Sequence, residues 1–388
     1  MRLNLTRRAA IASALALPAI GRAQGAPVKI GMITTLSGPG GYLGADIRDA
    51  FMLAIQDGKL DGVPVQVMVE DDGLKPAQAK QTANRFMKTD GIKLFTGIVF
   101  SNVLEAVAPD VLEDGGIYVS PNAGPSSLAG KNCHANYYVV SWQNDSLAES
   151  TGEHANRLGF KNVYALAPNY PAGKDTITGF KRFYKGALAG EVYTRLDQTD
   201  YAPEMAAIRA AGPDAVFHFH PGGLGIAFTR QYQQAGLVGK IPMIVSAASM
   251  DSTILAAVGE AALGVEMGMH WNTDFDNAAN KAFVAAFVAK YNRTPTGYAS
   301  QGYDTALAIG AALKGGGDVN NPASFRRAML PANFASTRGK FKFGANQHPI
   351  QDWFAVKVEK AADGKLAMVT KSRIFADHGD AYAAMCKI

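Results

Sequence analysis

Short apolar runs alternate along this chain with stretches in which apolar residues return every three or four positions. The first run, Val28 to Thr34, breaks into a glycine-rich turn, Ser37 to Gly44. Behind it, Leu43, Ile47, Ala50, Phe51, Ala54 and Ile55 follow helical spacing. The same rhythm predicts strands at Val63–Val69, Leu94–Val99 and Ile117–Val119, with helices at Pro76–Met87 and Val103–Leu112 between them. A second series follows. Its strands are expected at Val163–Ala167, Val192–Leu196, Ala215–Phe219 and Ile241–Val245, and its helices at Thr176–Tyr184, Pro203–Ala210 and Leu224–Ala235. Continuous apolar strands separated by amphipathic helices read as βαβ units, which build parallel sheets covered on both faces. The fold class is therefore α/β, with two doubly wound parallel-sheet domains.

A helical stretch from about Ala278 to Met329 interrupts the second series before strand patterns return at Gly339–Phe343 and Trp353–Val358. Helices arriving this late need a sheet to cover. Returning them to the first domain makes the chain cross between domains more than once, and such crossings form a hinge. Gly315-Gly316-Gly317 reads as a loop between helices. In open parallel sheets, ligands bind beyond the carboxyl ends of the strands, so chemistry is sought in the loops there.

The first 25 residues change the setting. A basic start, an apolar run from Ala9 to Leu17 and small residues after it read as a cleavable secretion signal. Thr6-Arg7-Arg8 resembles a twin-arginine motif, although Ala10 stands where that motif usually has a bulky residue. No later stretch approaches the roughly 20 apolar residues that span a bilayer, and no cysteine follows the leader to carry a lipid anchor. The expected location is the bacterial periplasm. Apolar residues make up 48% and charged residues 18%, which suits a large core. The net charge of +5 is small and unclustered, so no nucleic-acid partner is expected. The only cysteines, Cys133 and Cys386, would pair as a disulfide in an oxidising compartment; the alternative is two separate buried thiols.

Enzyme signatures are sparse. Gly38 and Gly40 begin a dinucleotide-like G-x-G, but Leu43 occupies the place of the third glycine. An exported oxidoreductase is thereby the weaker alternative. No G-x-S-x-G, H-E-x-x-H or Walker A sequence is present, and no cofactor is expected. His218 and His220 share one face of a predicted strand without a third ligand at metal spacing, so no metal site is expected. Strand-end loops instead carry hydroxyls, amides and aromatic rings: Ser37–Leu43, Phe100-Ser101-Asn102, Ser120–Gly124, Asn169-Tyr170, His220–Gly223, Ser246–Ser249 and His270-Trp271-Asn272. Such groups suit a closed pocket for a small organic ligand.

IGMITTLSGPGGYLG, VEDDGLKPAQAKQTANRFM, YVSPNAGPSSLAG, APNYPAGKDTITGFKRFY and DYAPEMAAIRAAGPDAVF occur in this order. In sequence and spacing the chain resembles the branched-chain amino acid (leucine/isoleucine/valine) binding family of periplasmic substrate-binding proteins. The resemblance implies a type I periplasmic fold, with two lobes joined by a three-crossing hinge. The expected limits are 27–141 with 272–345 for the first lobe, and 142–271 with 346–388 for the second. It also implies permease subunits of an ATP-driven importer as partners, with the binding protein itself a monomer. A sensory module working through a separate protein is a further alternative.

The family's ligand contacts fall by motif on Tyr42, Ser101, Asn122, Gly124 and Tyr170, and more loosely on His220, Ser246 and Ser249. Asn102, Ala123 and Trp271 in the same loops complete the expected site. Two departures bear on the ligand. Gly124 stands where amino-acid binders carry threonine, and Ser246–Met250 lacks their ammonium-neutralising acid; Asp251 beside it reads as a helix N-cap. A buried ammonium without a carboxylate is costly. The expected ligand is thus a small carboxylic acid, with an aromatic acid favoured over a branched-chain amino acid. The SPNAGPSSLAG and SWQND stretches look closest to relatives that bind aromatic carboxylates.

Overall fold

The computed structural model describes residues 26–388. The leader and its Thr6-Arg7-Arg8 sequence lie outside the described residues. The first series runs β1 (Val28–Thr34), α1 (Gly41–Leu53), β2 (Lys59–Leu60), β3 (Val63–Asp71), α2 (Pro76–Lys88), β4 (Leu94–Thr96), α3 (Ser101–Glu113), β5 (Ile117–Ser120) and β6 (Tyr137–Val139). These six strands form one sheet in the order β2-β3-β1-β4-β5-β6. All its pairings are parallel except the short β2–β3 hairpin.

The second series runs α4 (Asn144–Arg157), β7 (Asn162–Pro168), α5 (Pro171–Phe183), β8 (Ala187–Thr194), α6 (Ala202–Ala211), β9 (Ala215–His218), α7 (Gly223–Gln234), β10 (Met243–Ser246), α8 (Ser252–Val258) and β11 (Glu266–Met269). Helices α9 (Ala278–Tyr291), α10 (Gly297–Lys314) and α11 (Pro322–Met329) follow, then β12 (Lys342–Phe343), β13 (Pro349–Lys360) and β14 (Leu366–His378). The second sheet has the order β12-β13-β11-β10-β9-β7-β8, with β14 on β13. Its β8-β7-β9-β10-β11 portion is parallel, and β13 joins it antiparallel. This is a mixed α/β fold of two doubly wound lobes.

β4, β5, β9 and β10 are buried along their whole length, which is why they read as apolar runs. Among the predicted strands that differ in extent, two have a clear local cause. β4 ends at Thr96 rather than Val99, because Gly97 turns the chain at φ +111°, where a Cβ would lie 2.7 Å from the Ile33 carbonyl oxygen. β8 covers 187–194 rather than 192–196; beyond Thr194 the chain turns through the exposed Arg195–Asp197 ion pair.

The late helices return to the first lobe. α10 packs along α1, and Phe325 of α11 meets Tyr138 of β6. The chain consequently passes between the sheets three times: after β6, after β11 and ahead of β13. Strand pairing puts β12, within 272–345, on the second sheet, although the Phe343 ring packs on Tyr138 of the first. Arg338 gathers the hinge. Its Nε donates to Asp304 of α10 at 3.0 Å, and its Nη1 donates to the Ser141 carbonyl at 3.2 Å and to Gln351 at 2.6 Å. The first and third crossings are thus pinned to one buried ion pair, which fixes geometry more than it adds stability.

Cys133 and Cys386 form a disulfide with Cα atoms 5.6 Å apart. Cys133 lies between β5 and β6, whereas Cys386 ends the tail that follows β14, so the bond joins the two lobes. On its way the tail lays Tyr382 against α4, where its hydroxyl donates to Asp145 at 2.9 Å.

Candidate ligand-binding cleft

The carboxyl ends of both parallel sheets face one another across the hinge, and contacts span the gap. The Gly223 amide donates to the Pro39 carbonyl at 2.9 Å. The Ser126 hydroxyl donates to Asp175 at 2.6 Å. The Phe100 and Tyr170 rings lie 6.1 Å apart. Between the lobes is a compact, closed cavity. The first lobe contributes Val99, Phe100, Ser101, Asn122 and, from α10, Tyr298. The first crossing contributes Trp142, and the second lobe contributes Asn144, Leu147, Tyr170, Ala172, Thr176, Phe219, Pro221 and Ala248.

Five of these side chains are aromatic and none carries a charge. Tyr170, at the N-cap of α5, stacks on Phe219 at 6.1 Å with 13° between planes. Trp142 meets Tyr298 edge-on at 6.3 Å and His270 at 5.0 Å. Asn144 organises the polar part. Its Nδ2 donates to the Ser101 hydroxyl at 3.1 Å and to Asp175 at 3.0 Å, while its Oδ1 accepts from the Gly124 amide at 3.2 Å. Ser101 Oγ, already an acceptor, keeps its own proton for another group. Among the described residues the Tyr170 hydroxyl and the Trp142 indole N–H also meet no acceptor. The cavity therefore offers neutral donors, and burial raises the Tyr170 phenol so that it stays a donor.

Ser101, Asn122 and Tyr170 thus meet in the cavity as the sequence suggests. Others lie around it. The Tyr42 hydroxyl donates to Asp251 Oδ2 at 2.8 Å, linking the lobes outside the cavity lining. Asp251 is the expected N-cap, accepting from the amides of Thr253 and Ile254; burial pushes its carboxyl up to about 6. Asn102 follows Ser101 into α3 and Ala123 accepts from Ser120 and Tyr137, both away from the lining. Gly124 holds a tight crossing: a Cβ there would lie 2.1 Å from the Trp142 carbonyl oxygen. Threonine is excluded at this position by backbone, whatever the ligand.

The remaining four support the second lobe or the far side of the hinge. The His220 amide donates to Ser249 at 2.8 Å, its ring meets Thr194 at 3.1 Å, and Ser246 meets Ser249 at 3.3 Å. His220 stacks on Phe228 in the core, and burial holds it and His218 well below the usual histidine range. Trp271 points into the first lobe, where its indole N–H donates to Asn280 at 2.7 Å and its ring packs on Phe283. Trp142, Asn144 and Tyr298 are the most chemically telling of the cavity residues missing from the sequence-based site. Trp142 and Asn144 lie within the SWQND stretch already noted, but nothing in the α10 pattern distinguishes Tyr298 from a core tyrosine. Among the described residues no group of three His, Cys, Asp or Glu side chains is placed to hold a metal, and no helix is long and apolar enough to cross a membrane.

Residues 27–365 match the family model described as periplasmic binding protein. The Leu/Ile/Val-binding protein homolog 6 of Brucella melitensis is 29% identical over 87% of this chain and 89% of its own length. Among solved structures, an ABC-transporter solute-binding protein from R. palustris in complex with benzoate superposes with TM-score 0.87. It is 29% identical and covers 93% of this chain and all of the other. A solute-binding protein from Rhodopseudomonas palustris BisB5 in complex with 3,4-dihydroxybenzoic acid gives TM-score 0.84 at 27% identity, covering 92% and 99%. The chain belongs to the periplasmic binding protein family, as an ABC-transporter solute-binding protein.

Proposed function

We propose that this protein captures a small aromatic carboxylate between its lobes and delivers it to the permease subunits of an ABC importer, after export to the periplasm by its leader. In this reading it does no chemistry on the ligand. The lobes are 27–141 with 272–345 and 142–271 with 346–388. Ser101, Asn122 and Tyr170 touch the ligand together with Trp142 and Tyr298. Tyr42, Gly124, His220, Ser246 and Ser249 hold the surrounding loops and the closed arrangement.

The observation that carries this reading is the uncharged, aromatic lining. An amino acid would bring a buried ammonium with no carboxylate at the cavity wall to receive it, at a cost of several kcal/mol. A carboxylate can instead be held by neutral O–H and N–H donors, which form strong bonds to an ionised acceptor. Rings at 5–6 Å spacing offer stacked and edge-on positions to a flat ligand. The aromatic-acid complexes of two similar structures support the same choice. Calorimetric titration with benzoate, leucine and valine tests it. Micromolar or tighter binding of benzoate with none of leucine is expected; leucine binding without any response to benzoate would overturn it.

A further inference from the structure

Similarity does not choose between benzoate and its ring-substituted relatives, since solute-binding proteins for both resemble this chain. The polar inventory of the cavity does distinguish them. Asn122 lines it and is 6% exposed. Its Nδ2 donates to the Val99 carbonyl at 2.7 Å, which fixes the orientation of the amide, because only the nitrogen can face a carbonyl. Oδ1 is then left buried with no hydrogen-bond donor. The backbone carbonyl of Asn122 is already taken, accepting from the Ser141 hydroxyl at 2.7 Å, so that hydroxyl is committed elsewhere. Neighbouring donors are also engaged. The amide of Asn144 serves Ser101 and Asp175, and the Thr176 hydroxyl donates to the Ala172 carbonyl at 2.6 Å.

A buried acceptor without a donor costs free energy, and side chains in native proteins are rarely left so. In this cavity the unmatched group is an acceptor among spare donors. A carboxylate answers the donors but would repel this oxygen. We infer that the ligand carries a hydrogen-bond donor on its ring, a hydroxyl or amino group, which pairs with Asn122 Oδ1. Asn122 is thereby the residue that selects substituted aromatic acids over benzoate. This rests on the aromatic-acid reading and narrows it. A site built to bond a ligand hydroxyl discriminates strongly against the analogue that lacks it, because its own polar group is then stranded.

The experiment compares benzoate with 2-, 3- and 4-hydroxybenzoate and 4-aminobenzoate by calorimetry on the full mature chain. At least one substituted acid is expected to bind about tenfold or more tightly than benzoate, and Asn122→Ala should bring that ratio to within about threefold by weakening only the substituted acid. Benzoate binding as tightly as all four others would overturn the inference and leave the aromatic-acid reading standing. A ratio that survives in Asn122→Ala would overturn it as well. No binding by any of the five acids would overturn both. The ranking on the unmodified protein decides the matter even where the variant folds poorly.

Discussion

The two lobes bring different chemistry to the same cavity. The first presents Ser101 and Asn122 on loops that leave neighbouring strands, each held by a bond to another loop. The second adds Asn144 to that polar edge, but its flat rings, Tyr170 stacked on Phe219 and bonded to little else, complete the aromatic wall begun by Phe100 and Tyr298. A polar group held by neighbours has one direction to offer, whereas a stacked ring offers area with little direction. One lobe should therefore set which ligand is accepted, and the other how tightly any accepted ligand is held.

The most severe test falls where the polar edge meets the hinge. Gly124→Thr would drive a side chain into the Trp142 carbonyl, and backbone cannot yield as a side-chain tip does. A stability loss of about 3 kcal/mol or more is expected, at the upper end for overpacking, read as a fall in the urea midpoint. A variant of near-native stability would mean that the first crossing is looser than described, and with it the placement of Trp142.

Truncating the ring face comes next. Tyr170→Ala should weaken every aromatic acid about 100-fold while leaving their order unchanged, whereas Ser101→Ala should cost about fivefold, the worth of one ordinary hydrogen bond. Calorimetric dissociation constants for the same acids measure both. If Tyr170→Ala reorders the acids, the division of labour between lobes is wrong.

The smallest effect concerns the contact that joins the two faces. Asp251 holds its proton up to about pH 6 in the folded chain, against an ordinary carboxyl near 4, because it is buried. With the folded value raised, the native state binds more protons than the unfolded state between these limits. Asp251 thus favours folding increasingly as pH falls from about 6 toward 4. Asp145, also pushed up to about 6 by burial, acts in the same direction. Asn can still cap α8, so Asp251→Asn should remove about 1–2 kcal/mol of that pH dependence without unfolding the helix. Melting temperatures at pH 4.5 and 7 for both proteins would show it; parallel curves would contradict it.

The parts of the fold legible in the sequence are those whose burial is uniform or one-sided. β1 matches its expected ends because it is a central parallel strand, fully buried from Ile30 to Thr34. α4 left no such trace. It is buried nearly all round, yet its inner positions include Asn144, Asp145, Glu149 and Thr151, whose polar groups are paired with other elements. β14 was hidden because it pairs along one edge and alternates little in burial. The site was readable to the level of loops but not of side chains. Trp142 and Trp271 both follow strand ends near a crossing, and only the path of the chain turns one ring into the cavity and the other into the first-lobe core. His220 likewise sits at a strand end, but Thr194 and Phe228 draw its ring inward.

The bond between Cys133 and Cys386 has a consequence for damage as well as for shape. It closes the chain into a ring that contains the whole parallel portion of the second sheet, all three crossings and the helices α4 to α11. A protease that cuts any one exposed loop inside that ring therefore opens the circle without separating the pieces. A nicked molecule would run as a single species until reduced, still holding the rings of one lobe opposite the polar loops of the other.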